Sequence, residues 1–140
     1  MIVSAFVLAS ILCVLSGLHV YWAFGGRWGS NAVIPTQVDS EQTLFTPPPI
    51  ATLVVAAALA VAALLSLAQV QLINLGLPAW SLRTAMWGLS AIFLLRTVGD
   101  FRYVGMFKRV RGTRFARMDN LLYSPLCLLL SILAANLARY

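Results

Sequence analysis

Only a few residues of this chain could carry chemistry, because 10% of them are charged and one is a histidine. An imidazole changes charge near neutral pH, so His19 could act as a general acid or base, with Asp100 as a second catalytic candidate. No cysteine or carboxylate lies near His19 at metal-ligand spacing, and we predict no metal site. A haem would need a second axial ligand or a second chain. A histidine that is simply hydrogen-bonded at the membrane interface is the plainer alternative.

A second set of residues could bind an anionic molecule. Arg96 and Asp100 are four residues apart, so on a continuous helix they would share a face and could pair. Arg96 lies inside an apolar segment, where an unpaired charge is expensive. Three interpretations stay open: a structural ion pair, a side chain that extends to lipid phosphates, or a guanidinium that binds a ligand. The candidate ligand-binding residues are Trp22, Arg27, Arg96, Arg102, Asp119 and Tyr123.

Asp119 and Tyr123 are also four residues apart, at the start of the last apolar segment. One interpretation of Asp119 is a negative charge that favours the positive end of a helix, and the other is a pocket residue beside Tyr123. The tryptophan and tyrosine side chains likewise form either an aromatic belt at the lipid headgroups or a stacked pocket. None of these patterns identifies a cofactor.

Composition excludes an ordinary soluble protein. The chain is 61% hydrophobic with a mean hydropathy of +0.88, against roughly 45–50% apolar residues in soluble domains. The net charge is +6, but the basic residues cluster beside apolar segments, which favours anionic lipid headgroups over nucleic acid as partners. Cys13 and Cys127 lie within apolar segments, so no disulfide framework is predicted and their role is open. Phosphate-binding loops, zinc motifs and nucleophile elbows are absent from the sequence.

The apolar segments predict an all-α, polytopic integral membrane protein with a single domain over residues 1–140. Each segment approaches the ~20 residues that a helix needs to cross a bilayer. The first carries no charge and is too long for a cleaved signal peptide. The expected four-helix bundle has transmembrane segments at about 2–24, 50–75, 81–98 and 120–138, a loop at 25–49 and a basic interfacial loop at 99–119.

Local signals refine these segments. Gly25 and Gly26 are predicted to end the first helix, as glycine commonly does. Ser124 with Pro125 is compatible either with a helix start or with an early kink. The loop at 25–49 is predicted to pack at the headgroup level through aromatic residues that include Phe45.

Charge sets the predicted orientation. The loop from Asp100 to Asp119 contains six basic residues against two acids, a net charge of +4, and such loops remain in the cytoplasm. Four spans then place both termini outside the cytoplasm. The same topology brings the polar candidates together at the cytoplasmic side, where the first and third helices end and the fourth begins.

Three pieces of the sequence resemble a known bacterial family. They are HVYWAFGGRWG at 19–29, LRTVGDFRYVGMFK at 95–108 and DNLLYSPLCLLL at 119–130. In this order they resemble the DUF3995 family of small four-helix membrane proteins, and the resemblance covers nearly the whole chain. It implies a multi-pass protein of the bacterial cytoplasmic membrane and carries no activity.

These observations lead to one expected function and two alternatives. The expected function is binding of an anionic amphipathic ligand, such as a lipid or an isoprenoid, in a polar pocket at the cytoplasmic side. Arg96 and Arg102 would hold its headgroup. The first alternative is a membrane-embedded enzyme that uses His19 and Asp100 as acid and base. The second is a structural subunit of a larger membrane complex, which would bind a membrane-protein partner or a second copy of the chain.

Overall fold

The computed structural model describes residues 1–29, residue 34 and residues 46–140. These residues form helices and turns, without a strand. The elements are α1 (Ile2–Ala23), α2 (Pro49–Gln69), α3 (Ala79–Val98), α4 (Arg114–Met118), a π-helical turn (Asp119–Tyr123) and α5 (Ser124–Ala138). Most of the predicted loop at 25–49, including Phe45, lies outside the described residues. The predicted all-helical fold is therefore confirmed for the described part of the chain.

The first helix ends where glycine predicts. Gly25 has a φ of 86°, a left-handed conformation that glycine adopts without steric cost. The Gly26 N–H donates to the Tyr21 carbonyl at 2.9 Å, and the Gly25 N–H to the Trp22 carbonyl at 3.0 Å. This pair of bonds is the Schellman motif, which satisfies carbonyls that a helix end would otherwise leave unpaired.

The second helix ends at Gln69, six residues before the end near residue 75 that the apolar run predicts. The same Schellman pattern stops it: the Leu72 N–H donates to the Leu67 carbonyl at 3.1 Å, and the Gln71 N–H to the Ala68 carbonyl at 2.9 Å. Here Gln71 takes the left-handed position, with a φ of 58°. Hydropathy alone missed this end, because the residues that follow stay apolar after the backbone has turned.

The last helical segment begins at Arg114, before the predicted start near residue 120. The hydroxyl of Thr113 accepts the Ala116 N–H at 3.1 Å, which caps the first turn. Ser124 and Pro125 therefore lie inside the helical segment rather than at its start. The π-helical turn directly before them widens the backbone where Pro125 removes a hydrogen-bond donor.

The four long helices form two tightly packed pairs, α1 with α2 and α3 with α5. Further contacts of α2 with α3 and of α5 with both α1 and α2 join the pairs. Their shared core consists of small and branched side chains, among them Leu8, Leu12, Met86 and Leu130. Small residues allow helices to approach closely in an apolar setting.

Serine hydroxyls connect the helices across this core. Ser90 and Ser131 each donate to the carbonyl of the other at 2.9 Å, so α3 and α5 are joined twice at one level. Ser16 joins α1 to α2 by donating to the Ala56 carbonyl at 2.8 Å. Gln69 joins the end of α2 to the Leu137 carbonyl at 3.1 Å. Such bonds contribute about 0.6 kcal/mol each in membrane bundles.

Among the described residues, three helical segments are long and apolar enough to cross a bilayer: Ile2–Ala23, Pro49–Gln69 and Arg114–Ala138. They expose many large apolar side chains, including Val3, Phe6, Ile50 and Leu121. A surface of this kind is expected where helices face lipid. By length and composition, these helices are compatible with a multi-pass membrane protein. α3 is not one of these three candidate spans, and it carries Arg83 and Arg96 near its two ends.

The helices of the bundle meet connecting segments at two ends. The loop end holds residues 24–29, 46–48 and 99–113, where α1 and α3 finish. The turn end holds residues 70–78 together with residues 139–140.

Candidate functional site

A buried carboxylate is the centre of the polar residues at the loop end. Asp119 is 0% exposed, and its two oxygens contact two cations. Arg96 Nη2 lies 3.0 Å from Oδ1, and Lys108 Nζ lies 2.8 Å from Oδ2. The Gly105 N–H donates to Oδ2 at 2.8 Å and the Ser124 hydroxyl to Oδ1 at 3.3 Å. Such a dense set of partners compensates the loss of hydration of a buried charge.

Lys108 is as deeply buried as the carboxylate it contacts. Its side chain is 1% exposed, which is rare for lysine unless the ammonium is paired. The ammonium donates to the Gly105 carbonyl at 2.9 Å and to the side-chain oxygen of Asn120. Lys108 therefore holds the loop 99–113 against the start of the last helical segment.

Two glycines allow this loop to fold back on α3. Gly99 and Gly105 have φ values of 81° and 91°, and their backbones cross in direct contact. The Met106 N–H then donates to the Thr97 carbonyl at 2.8 Å, which attaches the returning chain to the end of α3. The crossing places Gly105 and Lys108 beside Asp119.

Asp100 organises the turn between these glycines. One of its oxygens, Oδ1, accepts the N–H groups of Arg102, Tyr103 and Val104 at 2.9, 2.7 and 2.9 Å. Burial alone would raise the pKa of Asp100. The three backbone donors together outweigh burial, so the pKa lies below its ordinary value of 3.8.

Replacing Asp100 with alanine should destabilise the folded loop by about 1 kcal/mol, because three N–H groups lose their shared acceptor and the site is largely exposed to solvent. Asp100→Asn keeps an acceptor oxygen and should cost less. Because the folded state lowers the pKa of Asp100, its contribution is fully present above pH 3.8 and is lost as the pH falls through the lower folded value. Unfolding in detergent at several pH values measures this. A wild-type advantage over Asp100→Ala that persists at the lowest pH would contradict it.

The possible ion pair between Arg96 and Asp100 is not formed, and Arg96 pairs with Asp119 instead. Four-residue spacing brings side chains together only on a continuous helix. Gly99 ends α3 between the two residues, so Asp100 turns away into the loop. Neither of the two sequence-based interpretations of Asp119 included a buried ion pair with Arg96.

The guanidinium of Arg96 keeps binding capacity after pairing with Asp119. Its side chain is 33% exposed, and its second terminal nitrogen, Nη1, is a buried atom with no hydrogen-bond partner. Arg96, Lys108 and Asp119 together carry a net positive charge of one. A buried donor without an acceptor is unfavourable, and an anion placed there would remove that cost.

The other predicted site residues make local contacts. His19 Nδ1 lies 2.7 Å from the Leu15 carbonyl oxygen, and its ring is 5.3 Å from that of Trp22. Trp22 donates to the Trp28 carbonyl at 2.9 Å. In the described part of the chain, no hydrogen bond or ion pair joins His19 to Asp100. The acid–base hypothesis for that pair stays an untested prediction.

Arg102 and Tyr123 flank the buried cluster without joining it. Arg102 lies 5.2 Å from the ring centre of Tyr103, a cation–π contact within the loop. Tyr123 packs against Phe115 with ring centres 6.2 Å apart. Arg27 belongs to the short described segment after α1. Of the predicted ligand-binding residues, Arg96 and Asp119 form a direct ion pair.

Comparison with known proteins places the chain in a family. A family model described as "Protein of unknown function (DUF3995)" matches residues 12–134. The chain belongs to the DUF3995 family. No curated protein and no solved structure matches it significantly. The match covers α2 and α3 in full, parts of α1 and α5, and the whole buried cluster.

The sequence analysis did not identify three residues of the buried cluster around Asp119: Lys108, Gly105 and Ser124. Lys108 is one of six basic residues in its loop, and nothing in its neighbours distinguishes it from the exposed ones. The usable signal was the pair Gly99 and Gly105, which bracket a turn and precede Lys108. No group of three metal-ligating side chains occurs among the residues described.

Proposed function

We propose that this protein binds the anionic headgroup of an amphipathic molecule, such as a lipid or an isoprenoid phosphate, at the loop end of its bundle. One observation carries the proposal: Arg96 Nη1 is buried without a partner in a cluster of two cations and one carboxylate. An anion at this position would satisfy the free donor and neutralise the excess charge. A third of the Arg96 side chain is exposed, so a small rotation of the guanidinium would bring the buried Nη1 to a ligand on the open side.

The proposal includes α3 as a fourth membrane span, so that the fold is a four-transmembrane-helix bundle. α3 packs along α5, which is itself part of a candidate span. Large apolar side chains, among them Trp87, Ile92 and Leu95, are exposed along α3. Asp119 neutralises Arg96 at one end. Arg83 lies about one turn inside the other end of α3, from where its long side chain reaches the headgroups.

The basic loop supplies the proposed orientation. Phe101, Met106 and Phe107 are exposed in a loop that also carries Arg102 and Arg109. Apolar tips among basic residues suit a segment that lies on anionic headgroups. The positive-inside rule then places this loop in the cytoplasm and both termini outside the cytoplasmic membrane. Arg102 would attract the headgroup, while Trp22, Arg27 and Tyr123 would lie close to the bound molecule.

Arg96→Lys tests the proposal with little disturbance of the fold. Lysine keeps the positive charge beside Asp119 but lacks the second guanidinium nitrogen, so it cannot bind Asp119 and a ligand with fixed geometry. We expect Arg96→Lys to bind an anionic lipid about tenfold more weakly than the wild type. In native mass spectrometry, a correspondingly smaller fraction of the variant should retain the lipid. The protein would be purified in mild detergent at matched expression.

Arg139→Lys is the matched control, since Arg139 is an exposed arginine at the turn end and should keep wild-type lipid content. Equal lipid retention by wild type and Arg96→Lys would contradict the headgroup proposal. A bare protein that purifies with another membrane protein in place of lipid would favour the structural-subunit alternative.

A further inference from the structure

A cavity of about 470 Å³ opens at the turn end, far from the Asp119 cluster. Its lining includes Gln71, Asn74, Leu82, Arg83 and Tyr140. This volume lies within the roughly 300–1,000 Å³ that is usual for small-molecule sites. The geometry points to a second anion-binding site here, in which Arg83, Asn74 and Gln71 bind the phosphate of a lipid headgroup or a free phosphate. The inference does not rest on the function proposed for the loop end.

The charge around the cavity favours an anion. Among the described residues, Arg139 lies at the turn end and Arg83 lies in the first turns of α3 beside it, with no Asp or Glu close in sequence to either. Asp100 lies at the loop end and Asp119 lies beside that end. Within the described residues, Arg83 makes no ion pair or hydrogen bond of its own. The cavity lining contains no Asp or Glu side chain, and a guanidinium in such a concave site can bind a phosphate through two nitrogens.

The carboxamides of the lining add hydrogen-bond donors. The Asn74 side-chain oxygen accepts the Gly76 N–H at 2.8 Å, which leaves the Asn74 NH₂ group as the part that can bind a ligand. Gln69 donates to the Leu137 carbonyl at 3.1 Å and thereby fixes one wall of the cavity to α5. Gln71 contributes a further amide from the left-handed turn that ends α2.

A lipid or a soluble molecule could supply this phosphate. Leu77 and Leu82 belong to the lining, and Trp80 is exposed beside it, a combination typical of the headgroup level of a membrane. A short-chain phosphatidylglycerol carries both the phosphate and an apolar part. Inorganic phosphate carries the anion alone. Comparing the two separates the sources.

The experiment is a ³¹P NMR titration of the full chain in a neutral detergent with dihexanoyl phosphatidylglycerol, dihexanoyl phosphatidylcholine and inorganic phosphate. We expect Arg83→Gln to weaken phosphatidylglycerol binding about tenfold, because a charge-assisted bidentate contact is lost. Arg139→Gln removes an equal charge outside the cavity lining and should bind like the wild type. Because the loop-end site would also bind phosphatidylglycerol, the titrations of wild type and Arg83→Gln are repeated in the Arg96→Lys background, where a difference that depends on Arg83 reports the cavity alone.

Asn74→Asp is the second variant. It keeps an acceptor for the Gly76 N–H but replaces the amide donor with a negative charge, so it should abolish phosphate binding. Its melting temperature, and that of Arg83→Gln, would be measured alongside. If Arg83→Gln weakens the binding of phosphatidylglycerol alone, the site binds a lipid headgroup. If Arg83→Gln also weakens the binding of inorganic phosphate, the site binds a free phosphate. Unchanged binding in both variants, or an equal loss in Arg139→Gln, would overturn the inference.

Discussion

Replacing Asp119 with alanine is expected to destabilise the protein by about 3–5 kcal/mol, the cost of leaving a buried charge without its partner. The ammonium of Lys108, 1% exposed, would retain only the Gly105 carbonyl and the Asn120 side chain as acceptors. Arg96 would lose the one ion pair that it makes within the described residues, and the Gly105 N–H would lose its acceptor. The free energy of unfolding, measured by titration with a denaturing detergent in mixed micelles, tests this.

A double variant separates charge burial from general disruption. Lys108→Met with Asp119→Ala removes the buried cation together with the carboxylate, and replacement of buried ion pairs by apolar side chains is often close to neutral. The double variant should therefore be more stable than Asp119→Ala alone. Additive destabilisation by the two changes would contradict the coupling. So would an Asp119→Ala variant within about 1 kcal/mol of the wild type.

The second large effect is expected at the glycine crossing. An alanine at Gly99 would place its Cβ against the Val104 carbonyl and 2.7 Å from Gly105 Cα, and an alanine at Gly105 would come within 2.6 Å of the Gly99 nitrogen. Both contacts are with backbone, which cannot rotate away. Both residues also have positive φ values, where a side chain costs about 1–2 kcal/mol by itself. Each substitution should destabilise the protein by more than about 3 kcal/mol or release the loop from α3.

Gly88→Ala is the matched control for these variants. Gly88 lies within α3, and a Cβ there would meet nothing within 4 Å. Alanine favours a helix by about 1 kcal/mol over glycine, so this variant should be as stable as the wild type or slightly more stable. Limited proteolysis of the loop 99–113 distinguishes a released loop from a globally weakened fold. Wild-type stability and protection of the loop in both Gly99→Ala and Gly105→Ala would refute the crossing.

The sequence by itself determined the helical, membrane-type build of this protein and several helix ends. A long apolar run and a glycine that stops it are local features. α1 ends at Ala23, two residues before Gly25, because the hydrogen bonds that close this helix end join neighbouring residues only. The need for a partner of Arg96 was also local, since a charge in an apolar segment is costly wherever the chain goes.

Only the tertiary structure decided which residues meet. Arg96 and Asp119 are 23 positions apart, and their contact depends on the crossing of Gly99 and Gly105, which turns the chain before Asp100 can pair with Arg96. Lys108 is buried for the same reason, although in sequence it resembles its exposed neighbours. Helical spacing predicts contacts only while a helix continues. Beyond a glycine at positive φ, the path of the backbone decides which charges are close enough to compensate each other.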